Sequence, residues 1–288
     1  MTTHTNPHND QPILVVGGTG KTGRRVAGRL TARGVPVRIG SRSAQPRFDW
    51  EDEATWPDAL DGVRAAYITF VPDLAMPGAA AQVARFAAIA KHKGVRRLVL
   101  LSGRGEEGAR KAELAIEGSG LDWTIVTASW FNQNFSEDYL LASVLQGELA
   151  LPAGDVAEPF IDADDIADVA VAALLDDGHA GQRYEVTGPR LLTFAQVAAD
   201  LSDATGRLIH YVPISPAEFI TGAADQGIPH ELATMLADLM TSVLDGRNAH
   251  LGDGVQRALG RAPRDFADYA AAAAATGVWT SERSSSVR

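Results

Sequence analysis

Three stretches carry residue types at spacings that can do chemistry. The first is Gly17-Gly18-Thr19-Gly20-Lys21-Thr22-Gly23. Glycines at 17, 20 and 23 permit a tight turn, close approach of the backbone to a ligand, and close contact between a helix and a strand. If a helix opens there, its unpaired N–H groups and partial positive charge suit a diphosphate. Gly17, Thr19, Gly20, Lys21, Thr22 and Gly23 are therefore candidate dinucleotide-binding residues. A nucleoside-triphosphate loop would need a glycine five residues before Gly20, and Val15 stands there, so that motif fails. The second stretch is Gly40-Ser41-Arg42-Ser43. It lacks the carboxylate that usually binds the ribose hydroxyls of NAD(H), whereas Arg42, with Ser41 beside it, can pair with a 2′-phosphate. Lys21 adds positive charge at the same end, and NADP(H) is favoured over NAD(H). The third stretch, Trp130-Phe131-Asn132-Gln133-Asn134, follows a strand end, where substrate pockets form in an open sheet. Trp130, Phe131 and Asn134 are candidate substrate residues, with packing in the core as the alternative for the two aromatics.

Other chemistries fail on inspection. A tyrosine with a lysine four residues on would let the lysine lower the phenol pKa and so protonate a forming alkoxide. Four residues after Tyr67, Tyr139, Tyr184, Tyr211 and Tyr269 stand Val71, Ser143, Gly188, Ser215 and Ala273, so the dyad is absent. Lys111 reads as a solvated helix cation, with Ala109, two residues earlier, on the opposite side of the helix. His230-Glu231-Leu232-Ala233-Thr234 has Thr where a second zinc ligand belongs, and Ser102 lacks the flanking glycines of a hydrolase elbow. Asp162, Asp164 and Asp165 read as capping of a helix N-terminus, and no metal is expected. Hydride addition to an iminium leaves a neutral amine, and a reduced quinone can take its proton from water. The residues therefore tilt towards acceptors that need little acid catalysis, with Ser102 the candidate catalytic hydroxyl.

The elements that must position these groups follow from hydrophobic periodicity. Ile13–Val16 is a continuous apolar run, the pattern of a strand buried on both faces. Lys21–Arg33 is an amphipathic helix ended by Gly34. Strands at Val35–Ile39, Ala65–Phe70, Arg97–Leu101 and Trp123–Thr127 alternate with helices at Trp56–Leu60, Ala79–Lys91 and Ala109–Glu117. Such alternation gives an α/β fold, a Rossmann-type doubly wound parallel sheet. Beyond about residue 150 the pattern thins to a helix at Asp164–Leu175, strands at Arg183–Val186 and Ile209–Val212, a helix capped by Thr193 and running to Ala204, and a mostly helical stretch from Pro216 to Thr276. The expected organisation is unstructured tails at 1–11 and 281–288, a dinucleotide-binding domain at 12–155, and a smaller mixed, mostly helical substrate region at 156–280.

Composition narrows the partners. The 288 residues carry a net charge of −10 and no cysteine. The acidic balance disfavours nucleic acid and anionic membranes. The missing thiols exclude disulfides, thiolate metal sites and thiol catalysis. No apolar run approaches ~18 residues, and the polar opening lacks a signal-peptide core. The expected protein is cytoplasmic, monomeric or homodimeric, with a small-molecule substrate.

Taken together, the opening Ile13–Gly23 run, Phe48-Asp49-Trp50, Ser102-Gly103, Ser119-Gly120-Leu121-Asp122-Trp123-Thr124 and Trp130–Phe135 resemble an NmrA-like atypical short-chain dehydrogenase/reductase. Phe160-Ile161-Asp162, Asp164–Ala167 and Tyr184–Pro189 extend the resemblance to about residue 215. The Gly-Lys-Thr opening, Ser-Arg-Ser and Phe-Asp-Trp-Glu-Asp look most like the festuclavine and agroclavine dehydrogenase branch. The resemblance implies NADP(H) in a Rossmann domain, with Asp49 and Trp50 beside the adenine, Thr69 and Phe70 along the cofactor, and Ser102 with Gly103 near the nicotinamide. It implies an oxidoreductase reducing an iminium, a quinone or an activated enone or carbonyl. The family also contains non-enzymatic redox sensors, and the missing tyrosine dyad fits these equally.

Overall fold

The computed structural model describes residues 10–225 and 227–280. The tails expected at 1–11 and 281–288 lie, apart from Asp10 and Gln11, outside the described residues. In chain order the first half runs β1 Ile13–Val16, α1 Lys21–Ala32, β2 Val37–Gly40, α2 Trp56–Leu60, β3 Ala65–Ile68, α3 Ala79–His92, β4 Arg97–Gly103, α4 Glu107–Glu117 and β5 Asp122–Ala128. There follow α5 Asn134–Glu137, α6 Leu141–Gln146, β6 Glu148–Leu151, β7 Ala157–Glu158, α7 Ala163–Leu175 and β8 Gln182–Val186. The last third contains β9 Leu192–Thr193, α8 Phe194–Thr205, β10 His210–Pro213, α9 Pro216–Asp225, α10 His230–Val243, α11 Gly254–Leu259 and α12 Phe266–Ala275.

The chain divides into two units. The first comprises the described residues up to Ala128 with Ala163–Val186 and Gly252–Ala262. Its six strands pair in parallel in the order β2-β1-β3-β4-β5-β8, the Rossmann-type sheet expected. β1 pairs with β2 on one side and β3 on the other, Ile13 opposite both Val37 and Ala65. The strand order therefore reverses at β1, and ligands of such sheets bind beyond the carboxyl ends of the strands at that point. All four residues of β1 are buried, as its apolar run demands. β2 starts at Val37, two residues later than the periodicity suggests, because Pro36 has no N–H to give to a ladder; its carbonyl instead accepts from Ile13 N.

A single boundary at 155/156 does not describe this unit. β8 completes the sheet by pairing with β5, and α7 lies against α1 through charge. Asp164 accepts from Arg29 at 2.7 Å, Asp168 from Arg29 at 2.6 Å and from Arg261 at 2.7 Å, and Asp165 from Arg261 at 2.6 Å. These contacts draw 163–186 and 252–262 into the first unit, and the second begins at Ser129.

Beside the sheet stands an aromatic cluster of Phe48, Trp50, Trp56, Phe70 and Phe86. Trp56 is fully buried, with ring centroids 5.4 Å from Trp50 and 5.9 Å from Phe86. Its indole N–H donates to Asp49 O at 2.7 Å, so burial leaves no polar atom unsatisfied.

The second unit comprises Ser129–Asp162, Thr187–Leu251 and the described residues from Pro263. It is mixed and mostly helical, with two-stranded pairs β6–β10 and β7–β9. Phe135, Phe160, Phe194 and Phe266 interlock at its centre. Thr193 begins α8 with a capping box completed by Gln196, the cap its residue type predicts.

Trp56→Ala removes a ring wedged among three others and is expected to cost about 3–5 kcal/mol, read by urea unfolding. A loss below about 1 kcal/mol would mean that the cluster closes over the gap.

Candidate functional site

β1 ends at Val16 and α1 begins at Lys21, so Gly17–Gly20 make the turn. Gly17 has φ +68°, and a Cβ there would overlap Thr69 Oγ1. A Cβ on Gly23 would overlap the Gly17 carbonyl, so the first turn of α1 rests directly on the loop. Gly20 differs: a Cβ there would meet only Gly17 O, at 3.3 Å. The protein's own packing requires glycine at 17 and 23 and leaves the side of Gly20 open. α1 opens with no side-chain cap and no acidic residue in its first turn, so its own opening residues leave the positive end unanswered.

The loop is tied down from below. Gly20 N donates to Gly17 O at 2.9 Å, and Thr69 Oγ1 donates to Val16 O at 3.1 Å. Tyr67 is fully buried with the Thr22 side chain as its polar neighbour, and burial pushes its phenol pKa up, so it is no proton source. Gly17 N donates to Gly40 O at 2.9 Å, which draws the end of β2, and with it Ser41 and Arg42, alongside the glycine loop. Ser41 Oγ lies 3.3 Å from Ser43 Oγ. Arg42 is exposed and makes no hydrogen bond or ion pair with any described residue. Arg47, farther along the same loop, differs: it pairs with Asp49 at 2.5 Å.

Asp49 also accepts from Glu51 N. Trp50 is buried, its indole N–H donating to Thr69 O at 2.9 Å. Both residues therefore shape the loop wall. Phe70 is half-buried at the end of β3, its ring 4.8 Å from that of Trp50.

At the end of β4 the Ser102 hydroxyl donates to Glu113 Oε1 at 2.6 Å. Glu113 is buried and also meets Arg110 at 3.1 Å, Thr127 at 3.4 Å and Arg183. The single proton of Ser102 thus points into a charged network, and donation to a substrate would have to break that bond. Ala109 is buried and Lys111 exposed, as the helical spacing requires. Two groups that the motif search passes over stand at this same edge. The Glu106 carboxyl lies against Gly103, where a Cβ would overlap Oε1, and Asp73, in the loop after β3, is its hydrogen-bonding neighbour. A carboxylate three residues after a strand end was the available signal; no motif includes it.

Trp130, Phe131 and Asn134 lie on one turn of chain in the second unit. Trp130 packs partly buried against that unit's core, Phe131 bridges to Ile161, and Asn134 is buried at the start of α5. Asp162 directly precedes α7 and Asp164 and Asp165 lie in its first turn, the helix end that favours carboxylates; each also has a side-chain partner, Gln133 for Asp162, Arg29 for Asp164 and Arg261 for Asp165. Their charge holds helices together. Among the described residues no acidic or histidine cluster could hold a metal ion, and no helix is long and apolar enough to cross a membrane.

The family described as NAD(P)H-binding matches residues 17–177, from the first glycine of the loop to the end of α7. The chain belongs to that family. It is 34% identical to festuclavine dehydrogenase easG of Aspergillus fumigatus, over 90% of this chain and 96% of that one. It is also 34% identical to an NAD(P)H azoreductase of Xenophilus azovorans, over 91% of this chain and 98% of that one. Its fold is shared by an NADPH-dependent quinone oxidoreductase of Escherichia coli solved with NADPH, at TM-score 0.76, 24% identity, and coverage of 90% of this chain and 99% of that one.

The glycine loop keeps the demands of packing apart from any contact with a ligand: a Cβ is excluded at 23 and admitted at 20. Gly23→Ala should cost about 1–3 kcal/mol by overpacking. Gly20→Ala should change stability by under about 1 kcal/mol yet weaken dinucleotide binding about tenfold or more, equivalent to roughly 1.4 kcal/mol. Melting curves and fluorescence titration check both; a Gly20→Ala variant that binds normally would remove the ligand from this loop.

Proposed function

We propose that the chain is an NADPH-dependent reductase that delivers hydride to a small organic acceptor such as an iminium ion, a quinone or an activated enone. One observation carries the choice of cofactor: the uncapped start of α1 and the exposed, unengaged Arg42 guanidinium are tied side by side by the Gly17–Gly40 hydrogen bond. Two positive ends at that spacing suit a diphosphate and a separate 2′-phosphate. In this reading Gly17, Thr19, Gly20, Lys21, Thr22 and Gly23 hold the diphosphate and Ser41 and Arg42 the third phosphate. Asp49 and Trp50 form the wall on the adenine side, Thr69 and Phe70 follow along the strand ends, and Ser102 and Gly103 border the nicotinamide. The bound cofactor supplies the hydride; the protein's part is to fix its orientation and keep water from the reacting face. The likeness to an NAD(P)H azoreductase and to a festuclavine dehydrogenase, each 34% identical, supports a small organic acceptor.

Titration of NADPH and NADH into the wild-type protein and into Arg42→Ala tests this reading. NADPH should bind the wild type more tightly. Losing one charge-assisted contact, about 1.5–3 kcal/mol, should weaken NADPH binding by about 10–100-fold and leave NADH untouched. Equal affinities with no effect of the substitution would overturn the assignment to NADPH. NADPH oxidation across iminium, quinone and azo acceptors tests the reductase itself; tight NADPH binding without turnover of any of them would make the protein a redox sensor.

A further inference from the structure

The chain lacks the tyrosine–lysine pair, and Ser102 directs its proton to Glu113. A different acid stands at the edge of the sheet. Glu106 precedes α4, three residues beyond the end of β4, and its half-buried carboxyl folds back onto Gly103. Only a glycine leaves room for it there. Asp73 reaches the same place from the loop after β3. A Cβ on Gly108 would overlap the Ala75 carbonyl, so this loop is clamped against the first turn of α4, and Asp73 Oδ1 is fixed by Ala75 N at 2.6 Å. Two carboxyls from different elements therefore meet beyond the carboxyl ends of β3 and β4, the side on which an open parallel sheet binds its ligands.

Resting on the reductase reading above, we propose that Glu106 is the proton donor of this site, passing its carboxyl proton to the acceptor atom that hydride addition leaves negatively charged. A carbonyl or quinone acceptor takes the hydride with its electron pair at carbon or oxygen, and the displaced π electrons settle on an oxygen. The O–H bond of Glu106 breaks as that oxygen gains its proton, and the carboxylate left behind is reprotonated from solvent, to which its half-buried side is open. Asp73 is a positioning residue that keeps the proton on Glu106 at neutral pH. Burial, then the charge and hydrogen bond of Asp73, then the charge of Glu113 push the Glu106 carboxyl up to about 8 from its ordinary 4.5. The N-terminus of α4 opposes this and is outweighed. A carboxylic acid held protonated near working pH is suited to general acid catalysis. The acceptors favoured by this site are then those that gain a proton on oxygen, whereas the missing dyad alone pointed to acceptors that need little acid catalysis, iminium ions and quinones alike.

The decisive variant is Glu106→Gln, which keeps size and polarity. With a quinone or ketone acceptor kcat should fall roughly 10²-fold or more, while an iminium acceptor, which gains no proton, should be reduced at close to the wild-type rate and NADPH should bind unchanged. The wild-type rate with quinone should fall above about pH 8; Glu106→Gln should lose that limb, and Asp73→Asn, by removing the like charge, should move it to lower pH. A readout without turnover accompanies these. With its folded pKa above its unfolded one, Glu106 takes up a proton on folding, so its contribution falls as pH rises from about 4.5 to about 8. The melting temperature of Glu106→Gln should gain on wild type over that interval, and the two should show no such divergence below it. Equal loss with quinone and iminium acceptors, or parallel melting curves at all pH values, would overturn the proposal. Wild-type protein that oxidises NADPH with neither acceptor class would overturn the reductase reading, and this assignment with it.

Discussion

The first turn of α1 lies on the carbonyl of Gly17. Gly23 must lack a side chain for the helix to come so close, and Gly17 must lack one to turn between that helix and Thr69. The contact brings the amides of the helix start to the point where the sheet reverses its strand order. The same loop residue, through its N–H, anchors the end of β2. One steric constraint thereby sets the orientation of the helix, the site of its positive end and the position of Arg42.

A second constraint is electrostatic. Arg25 and Arg29 on α1 and Arg261, just past α11, share Asp164, Asp165 and Asp168 on α7. Isolated surface pairs add little to stability, but these side chains are partly or fully shielded and interlinked, and Asp165 is fully buried. Their main effect is selective: they determine which helix covers the face of the sheet beside α1, and so pull a late segment back into an early fold.

Much of this was legible in the residues. β1, α1 and α2 lie where periodicity and the bounding glycines put them, because a buried strand and an amphipathic helix leave strong local patterns. The sheet class followed from alternation, and the glycine loop from its place between strand and helix. The interleaving of the two units was not legible, because the ion pairs that cause it join positions more than ninety residues apart. Single residues with two uses were the other difficulty. A serine after a strand can face a ligand or a buried glutamate, and a tryptophan beside a binding loop can line it or fill the core. The Glu106–Asp73 encounter lies outside any short motif, since it depends on one loop being pressed against another element.

The interleaved chain also bears on synthesis. β5 is complete at Ala128, but its outer partner β8 begins only at Gln182, so about fifty residues must be added before that edge is closed. At ribosomal speeds of about 5–20 residues per second the edge stands open for roughly 3–10 s. Unpaired strands invite pairing with other chains, and the nascent protein must pass through that interval each time it is made. A gene cut anywhere between the two strands would make the open edge permanent.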